Sequence, residues 1–328
     1  MTCGESLLPD EMFSFTGTAK QKTSQLPDNI NPVRFLMEVL HLERSAAYRR
    51  LRGEIYFTLG EVLLISEKLN LSLDLIMGKK DITKISPFRM YKMECGTPAE
   101  VDYEILEAHV TFLQSARKDL NSQFMLSANM LPQQIYLQYE SLSKFFLFKW
   151  IYYNEGETVK AYHNIKVPNR MRQIFKNSFV AHQGFSETYY ILDRYMYQYL
   201  INEIEYFFSI GLIKEEDKVI LCEEMYETLD YLEKICITGK YDNGNNVQMY
   251  ISNSYLDKTC YTIKASNNYI GIIETCIFNV VASTDKDNFD TIFNWIQARC
   301  RMSTHISQCG ELHRIDFFNE QRQMLSSL

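Results

Sequence analysis

The chain has 328 residues, of which 46% are hydrophobic and 23% charged, and its net charge is −7. That balance describes an ordinary folded protein long enough for two or more domains, and it argues against a chain that holds nucleic acid by bulk positive charge. Eight scattered cysteines with no C-x-x-C pair, a start (MTCGESLLPDEMF) lacking a basic segment and an apolar run, and no stretch near the ~18–20 apolar residues of a membrane helix predict a reduced, cytoplasmic protein with no membrane span.

Residues 1–30 show weak periodicity, with Met12–Gln25 as a candidate helix. Clear signals begin at Asn31-Pro32, an N-cap followed by proline at the first helical position. Phe35, Leu36, Val39 and Leu40 then recur at helical spacing. A second helix is predicted from Arg44 to Arg52, stopped by Gly53. Thr58-Leu-Gly-Glu61 has the form of a capping box opening a third helix, with Leu59, Val62, Leu63, Ile65 and Leu69 as its apolar positions, and Ser72 can cap a last turn to Met77.

On a helical wheel Ala47 and Leu51 share the inward face of the Arg44–Arg52 helix, while Ser45, Ala46 and Arg49 lie opposite and Arg50 and Arg52 flank them. The helix contains no acidic residue. Arginines among small residues suit a major groove, where guanidinium reaches guanine edges or phosphate and small side chains permit close approach. A solvated arginine face is the plainer alternative. Residues 31–80 carry eight Lys and Arg against six acids, a net of +2, so a mildly basic segment sits on an acidic body. This combination predicts weak non-specific affinity for DNA.

LMEVLHLERSAAYRRLRG (Leu36–Gly53) resembles the core of the bacterial Cro/repressor-type (XRE-like) helix-turn-helix transcriptional regulators, and EIYFTLGEVLLISEKLNLSLDLIMG resembles the helices that close that domain. The similarity covers about fifty residues and is strongest to the branch with a tyrosine and paired basic residues in the recognition helix, here Tyr48-Arg49-Arg50. It implies that Arg44–Arg52 enters the major groove of double-stranded DNA and that Pro32–Leu40 crosses the backbone. The DNA-binding residues expected on this basis are Asn31, Arg44, Ser45, Ala46, Tyr48, Arg49, Arg50 and Arg52. Three positions depart from the family pattern: His41 replaces the turn glycine, Met37 the small residue of the first helix, and Glu43 the serine cap.

Beyond residues 1–82, the reading is a linker at 83–98, a helical dimerisation or sensor region at 99–240, and a small α+β region at 241–328. Helices are expected at Ala99–Asn121, Leu142–Tyr153, Pro168–His182, Ser186–Ile210 and Lys214–Ile237. Strands are expected at Val247–Ser252, Thr259–Ala265 and Tyr269–Ala282, then helices at Asp287–Cys300 and Glu311–Leu325. The predicted fold is therefore mainly α: an N-terminal helix-turn-helix bundle, a helix-rich middle and a small antiparallel α+β region at the C-terminus.

Sites of chemistry are sparse. There is no glycine-rich phosphate loop, G-x-S-x-G or H-E-x-x-H. Cys300, His305, Cys309 and His313 fall within fourteen residues, but buried thiols and surface histidines explain them better than zinc. Arg170, Arg172 and Lys176 either meet an anionic effector or, the better reading, pair with the acidic helix at 214–234. The expectation is a non-enzymatic transcriptional regulator without cofactor or metal, acting on DNA as a homodimer, with an unidentified effector in 99–328. The alternative is a protein-interaction adaptor whose helix-turn-helix does not read DNA.

Overall fold

The computed structural model describes residues 31–69, 88–92, 98–155, 161–308, 310–326 and 328. The candidate helix at Met12–Gln25, the turn at Ser72–Met77 and Cys309 lie outside these residues. The chain divides into two compact units, Met1–Pro87 and Phe88–Leu328.

The first unit contains α1 (Pro32–Leu40), α2 (Arg44–Leu51) and α3 (Leu59–Lys68). Leu36 and Ala47 are buried, and α1 packs on both α2 and α3. The seam of α3 is Val62, Ile65, Ser66 and Leu69, an i, i+3, i+4, i+7 face. Leu59 and Leu63, also among the predicted apolar positions, lie off this seam and are exposed.

The second unit is built on one eight-stranded mixed sheet, and this corrects the expectation of a mainly α protein with a small antiparallel region at its C-terminus. Its strands are β1 (Arg89–Tyr91), β2 (Gln123–Ala128), β3 (Glu187–Leu192), β4 (Asn246–Ser252), β5 (Cys260–Ala265), β6 (Asn268–Cys276), β7 (Asn279–Ser283) and β8 (Ser303–His305). The spatial order is β1-β7-β6-β5-β2-β3-β4-β8. Strands β2, β3 and β4 run parallel, and the remaining pairings are antiparallel. The helix-rich middle thus supplies two central strands, and the architecture is α/β.

Two physical reasons explain the difference. Strands buried on both faces lack the in–out alternation that betrays a half-exposed strand. Phe124, Met125, Leu126, Ser127 and Ala128 are all buried, and so are Tyr190, Ile191 and Leu192. In addition, ETYYIL of β3 runs through Asp193-Arg194-Tyr195 into the equally aromatic α8 (Met196–Ser209), so strand and helix read as one apolar helix. Likewise Tyr269–Ala282, read as one strand, is the β6–β7 hairpin, turned at Ile277 with φ 52°. Within the expected linker, Arg89–Tyr91 adds an edge strand to β7.

The helices of this unit are α4 (Glu100–Ser115), α5 (Gln133–Tyr136), α6 (Glu140–Glu155), α7 (Asn169–His182), α8, α9 (Glu215–Thr238), α10 (Lys286–Arg301) and α11 (Glu311–Leu325). The pleat separates two cores. Phe124, Leu126, Tyr190 and Leu192 join the large cluster with α4–α9 and α11, whereas Met125 and Ile191 meet Ile292 and Ile296 of α10. The sheet is therefore sandwiched between two helical layers. Buried aromatics tighten the larger one: Phe148 lies edge-on to Phe207 at 4.9 Å, and Tyr136 stacks on Phe146 at 3.8 Å. Among the described residues no helix is long and apolar enough to cross a membrane.

Candidate nucleic-acid interface

The surface of interest is α2 and the elements that hold it. Asn31 Oδ1 accepts the amides of Val33 (3.0 Å) and Arg34 (3.4 Å), capping α1 as its sequence predicts. The turn into α2 runs through His41 in the left-handed conformation, φ 51° and ψ 42°. The residue at the family's glycine position thus adopts the geometry that glycine would adopt most easily. Glu43 precedes α2 without a side-chain cap bond.

The far end of α2 closes in a Schellman turn. Gly53, at φ 77°, donates its amide to the Arg50 carbonyl at 3.0 Å, and Glu54 donates to the Arg49 carbonyl at 2.9 Å. This turn folds Glu54 back onto the basic helix end. Its carboxylate lies 3.0 Å from Arg52 Nε and 3.6 Å from Arg49 Nε.

Helix α3 starts with the expected capping box: Glu61 donates its amide to Thr58 Oγ1 at 3.3 Å, and the Thr58 amide donates to Glu61 Oε2 at 2.8 Å. The other carboxylate oxygen, Oε1, accepts Arg50 Nη2 at 2.7 Å. Burial pushes the Glu61 carboxyl up, but the Thr58 amide and the Arg50 guanidinium together outweigh it and hold the group below the ordinary carboxylate range.

Of the expected DNA-binding residues, the structure exposes Asn31, Arg44, Ser45, Tyr48, Arg49 and Arg52. Ala46 is half-buried, and Arg50 is drawn inward, its side chain 14% exposed against Glu61. Arg44 also lies over the Tyr48 ring at 5.8 Å, so two exposed side chains of successive turns support each other. Sequence reasoning missed the role of Glu54 and, beyond its capping box, the bond of Glu61 to Arg50. Gly53 carried a signal for the first, because a left-handed helix end returns the next residue to the helix. The second depends on how α2 and α3 pack, which no local pattern encodes.

The remaining candidates are dispersed or internally paired. Cys300 ends α10, His305 lies on β8 and His313 on α11, so the four-residue spacing does not fall on one helix. Among the described residues no group of three or more His, Cys, Asp or Glu could hold a metal. Arg170 is held by Glu107 (2.7 Å) and Glu100 (2.7 Å) of α4, and Arg172 by Glu140 of α6 (3.2 Å). Their recorded partners are these acids, not those of the 214–234 helix.

Three short helices in succession, the second bearing exposed arginines, have the element order expected of a helix-turn-helix module. The sequence model of a family described as BetR domain, associated with helix-turn-helix DNA-binding regulators, matches residues 29–130. The match spans the whole described part of the first unit and continues through α4 and β2 of the second. No curated protein and no solved structure matches the chain.

Proposed function

We propose that this chain is a DNA-binding transcriptional regulator of the Cro/repressor type, with α2 lying in the major groove. The observation that carries the reading is α2 with its C-cap, which presents Arg44, Ser45, Tyr48, Arg49 and the cap residue Arg52 to solvent and contains no carboxylate. Arg49, Ser45, Arg44 and Tyr48 read base edges. Arg52 and the amide-rich start of α1, beside Asn31, hold phosphate. Arg50, bonded to Glu61, sets the seat of α2 on α3. A single reader of this size offers little contact area, so two copies acting on half-sites one helical turn apart suit it. Residues 88–328 then supply dimerisation and effector sensing, and no step requires catalysis.

The test is retention of random genomic fragments by the intact protein at two salt concentrations, followed by sequencing. A recurrent pair of related half-sites, relaxed by Arg49→Ala and uniformly weakened by Arg52→Ala, is the expected result. Equal losses at both positions on cognate and random DNA would overturn the division of roles. The second reading, a protein-docking adaptor, draws on exposed Leu59, Leu63 and Leu64 of α3. It predicts no enrichment of any sequence at either salt.

A further inference from the structure

Strands β2, β3 and β4 are parallel, so their carboxyl ends lie side by side, and the chain diverges from each in a different loop. In open α/β sheets this edge is where ligands bind, at the point where the order of connection reverses. Strand β2 borders this parallel set, with parallel β3 on one side and antiparallel β5 on the other. A cavity of about 280 Å³ opens at this edge. Its volume is at the lower end for small-molecule sites, which run to roughly 300–1,000 Å³. Asn129 enters it from the end of β2, Tyr255 from the end of β4, and Tyr199 and Glu203 from α8, which follows β3; Phe146 of α6 and Leu200 contribute apolar surface.

The polar groups are arranged to leave two of them available. Glu203 Oε2 accepts Lys149 Nζ, whose side chain is only 2% exposed and whose ammonium lies over the Phe146 ring at 4.9 Å. Among the described residues Glu203 Oε1 has no protein donor. Asn129 Oδ1 accepts Thr259 Oγ1 at 2.9 Å, which leaves its NH2 group to donate. Glu203 is the one charged residue among the described residues that line the cavity, and Lys149 engages only one of its two oxygens. An acceptor-only carboxylate and two tyrosine rings favour a cationic donor. The aliphatic and aromatic lining favours an apolar body.

We infer that the cavity at the carboxyl ends of β2, β3 and β4 binds a small organic amine, its ammonium on Glu203 and the faces of Tyr199 and Tyr255, its apolar body against Phe146 and Leu200, with the Asn129 amide donating to an acceptor on the ligand where one is present. The site belongs to residues 88–328 alone and stands whether or not α2 reads DNA. The test is calorimetric titration of the full chain, without DNA, with three isosteric probes: 2-phenylethylamine, 2-phenylethanol and phenylacetate. The amine is expected to bind saturably at one site per chain, the alcohol at least about tenfold more weakly, and phenylacetate not at all. Tyr255→Ala, at a residue 71% exposed and so safe for folding, is expected to weaken the amine severalfold. Replacing both charges together, Lys149→Met with Glu203→Gln, avoids stranding a buried ammonium and is expected to abolish the preference for amine over alcohol. Absence of saturable amine binding, equal binding of phenylacetate or of the alcohol, or an amine affinity unchanged in both variants would each overturn the proposal.

Discussion

Arg50 of the basic helix and Glu61 of the next helix meet at 2.7 Å, and the same Glu61 carboxylate closes the capping box on Thr58. One acid therefore orders the start of α3 and ties it to α2. Glu61→Gln keeps an acceptor for the Thr58 amide but removes the charge that faces Arg50, so it should lower the stability of the first unit by about 1 kcal/mol and weaken binding to DNA of every sequence alike. Because the folded carboxyl lies below its ordinary value, this contribution is present at neutral pH and is lost as pH falls through the folded value. Thermal melts of wild type and Glu61→Gln over a descending pH series check it: the gap between the two should narrow as the pH falls.

Glu54 occupies two of the arginines proposed to meet DNA. Its carboxylate sits 3.0 Å from Arg52 and 3.6 Å from Arg49, all three side chains being substantially exposed. Glu54→Gln should tighten binding to random duplex DNA and steepen the slope of log affinity against log salt by about 1. An unchanged slope would mean that Glu54 does not mask a phosphate contact.

The two turns flanking α2 make the same left-handed demand on the backbone and meet it with different residues. His41 occupies the left-handed region at φ 51°, and His41→Gly should stabilise the unit by about 0.5–1 kcal/mol. Gly53, at φ 77° within the Schellman turn, should cost about 1 kcal/mol when changed to alanine. Chemical denaturation of the pair gives both signs in one experiment.

Lys149 and Glu203 form a pair buried on one side only, at 2% and 33% exposure. Glu203→Ala should destabilise the second unit by about 2–3 kcal/mol, less than a fully buried pair because Glu203 retains some water. The double variant Lys149→Met with Glu203→Gln should recover most of that loss. A double variant as unstable as the single would show that packing, not charge, is at stake.

His182 is buried between α7 and β2, its Nδ1 2.8 Å from the Ser178 carbonyl and its ring edge-on to Phe124 at 5.3 Å. Burial, with the nearby His109, pushes its titration down to about 3, and burial pushes that of His109 down to about 4. The folded protein thus holds both rings neutral. Their contribution is complete above the unfolded histidine value near about 6.5 and is lost as pH falls toward the folded values. His182→Phe should flatten the decline in melting temperature between about pH 6.5 and about pH 4, relative to wild type.

How much of this was legible depended on how local each signal is. The cap at Asn31, the stop at Gly53 and the capping box at Thr58 are each written within a few residues, and all three stand in the structure as the sequence predicts. The helix at Glu311–Leu325 matched its prediction residue for residue. Strand β2 left no such trace, since five consecutive buried positions contain no alternation, and β3 merged with the helix behind it. The Arg50–Glu61 bond spans eleven positions and two elements, so its existence follows only from packing.

The placement of β2 sets an order of events during synthesis. The first unit is held by contacts among neighbouring helices and can settle as soon as its own residues are available. Strand β2 is different: one flank waits for β3, and the other for β5, more than a hundred residues downstream. Until Cys260–Ala265 has been made, an apolar strand destined for the centre of the sheet presents an unpaired edge. A chain ended near residue 240 would keep that edge permanently open, so the helical middle of this protein is not a separable piece and should aggregate when expressed without the strands that follow.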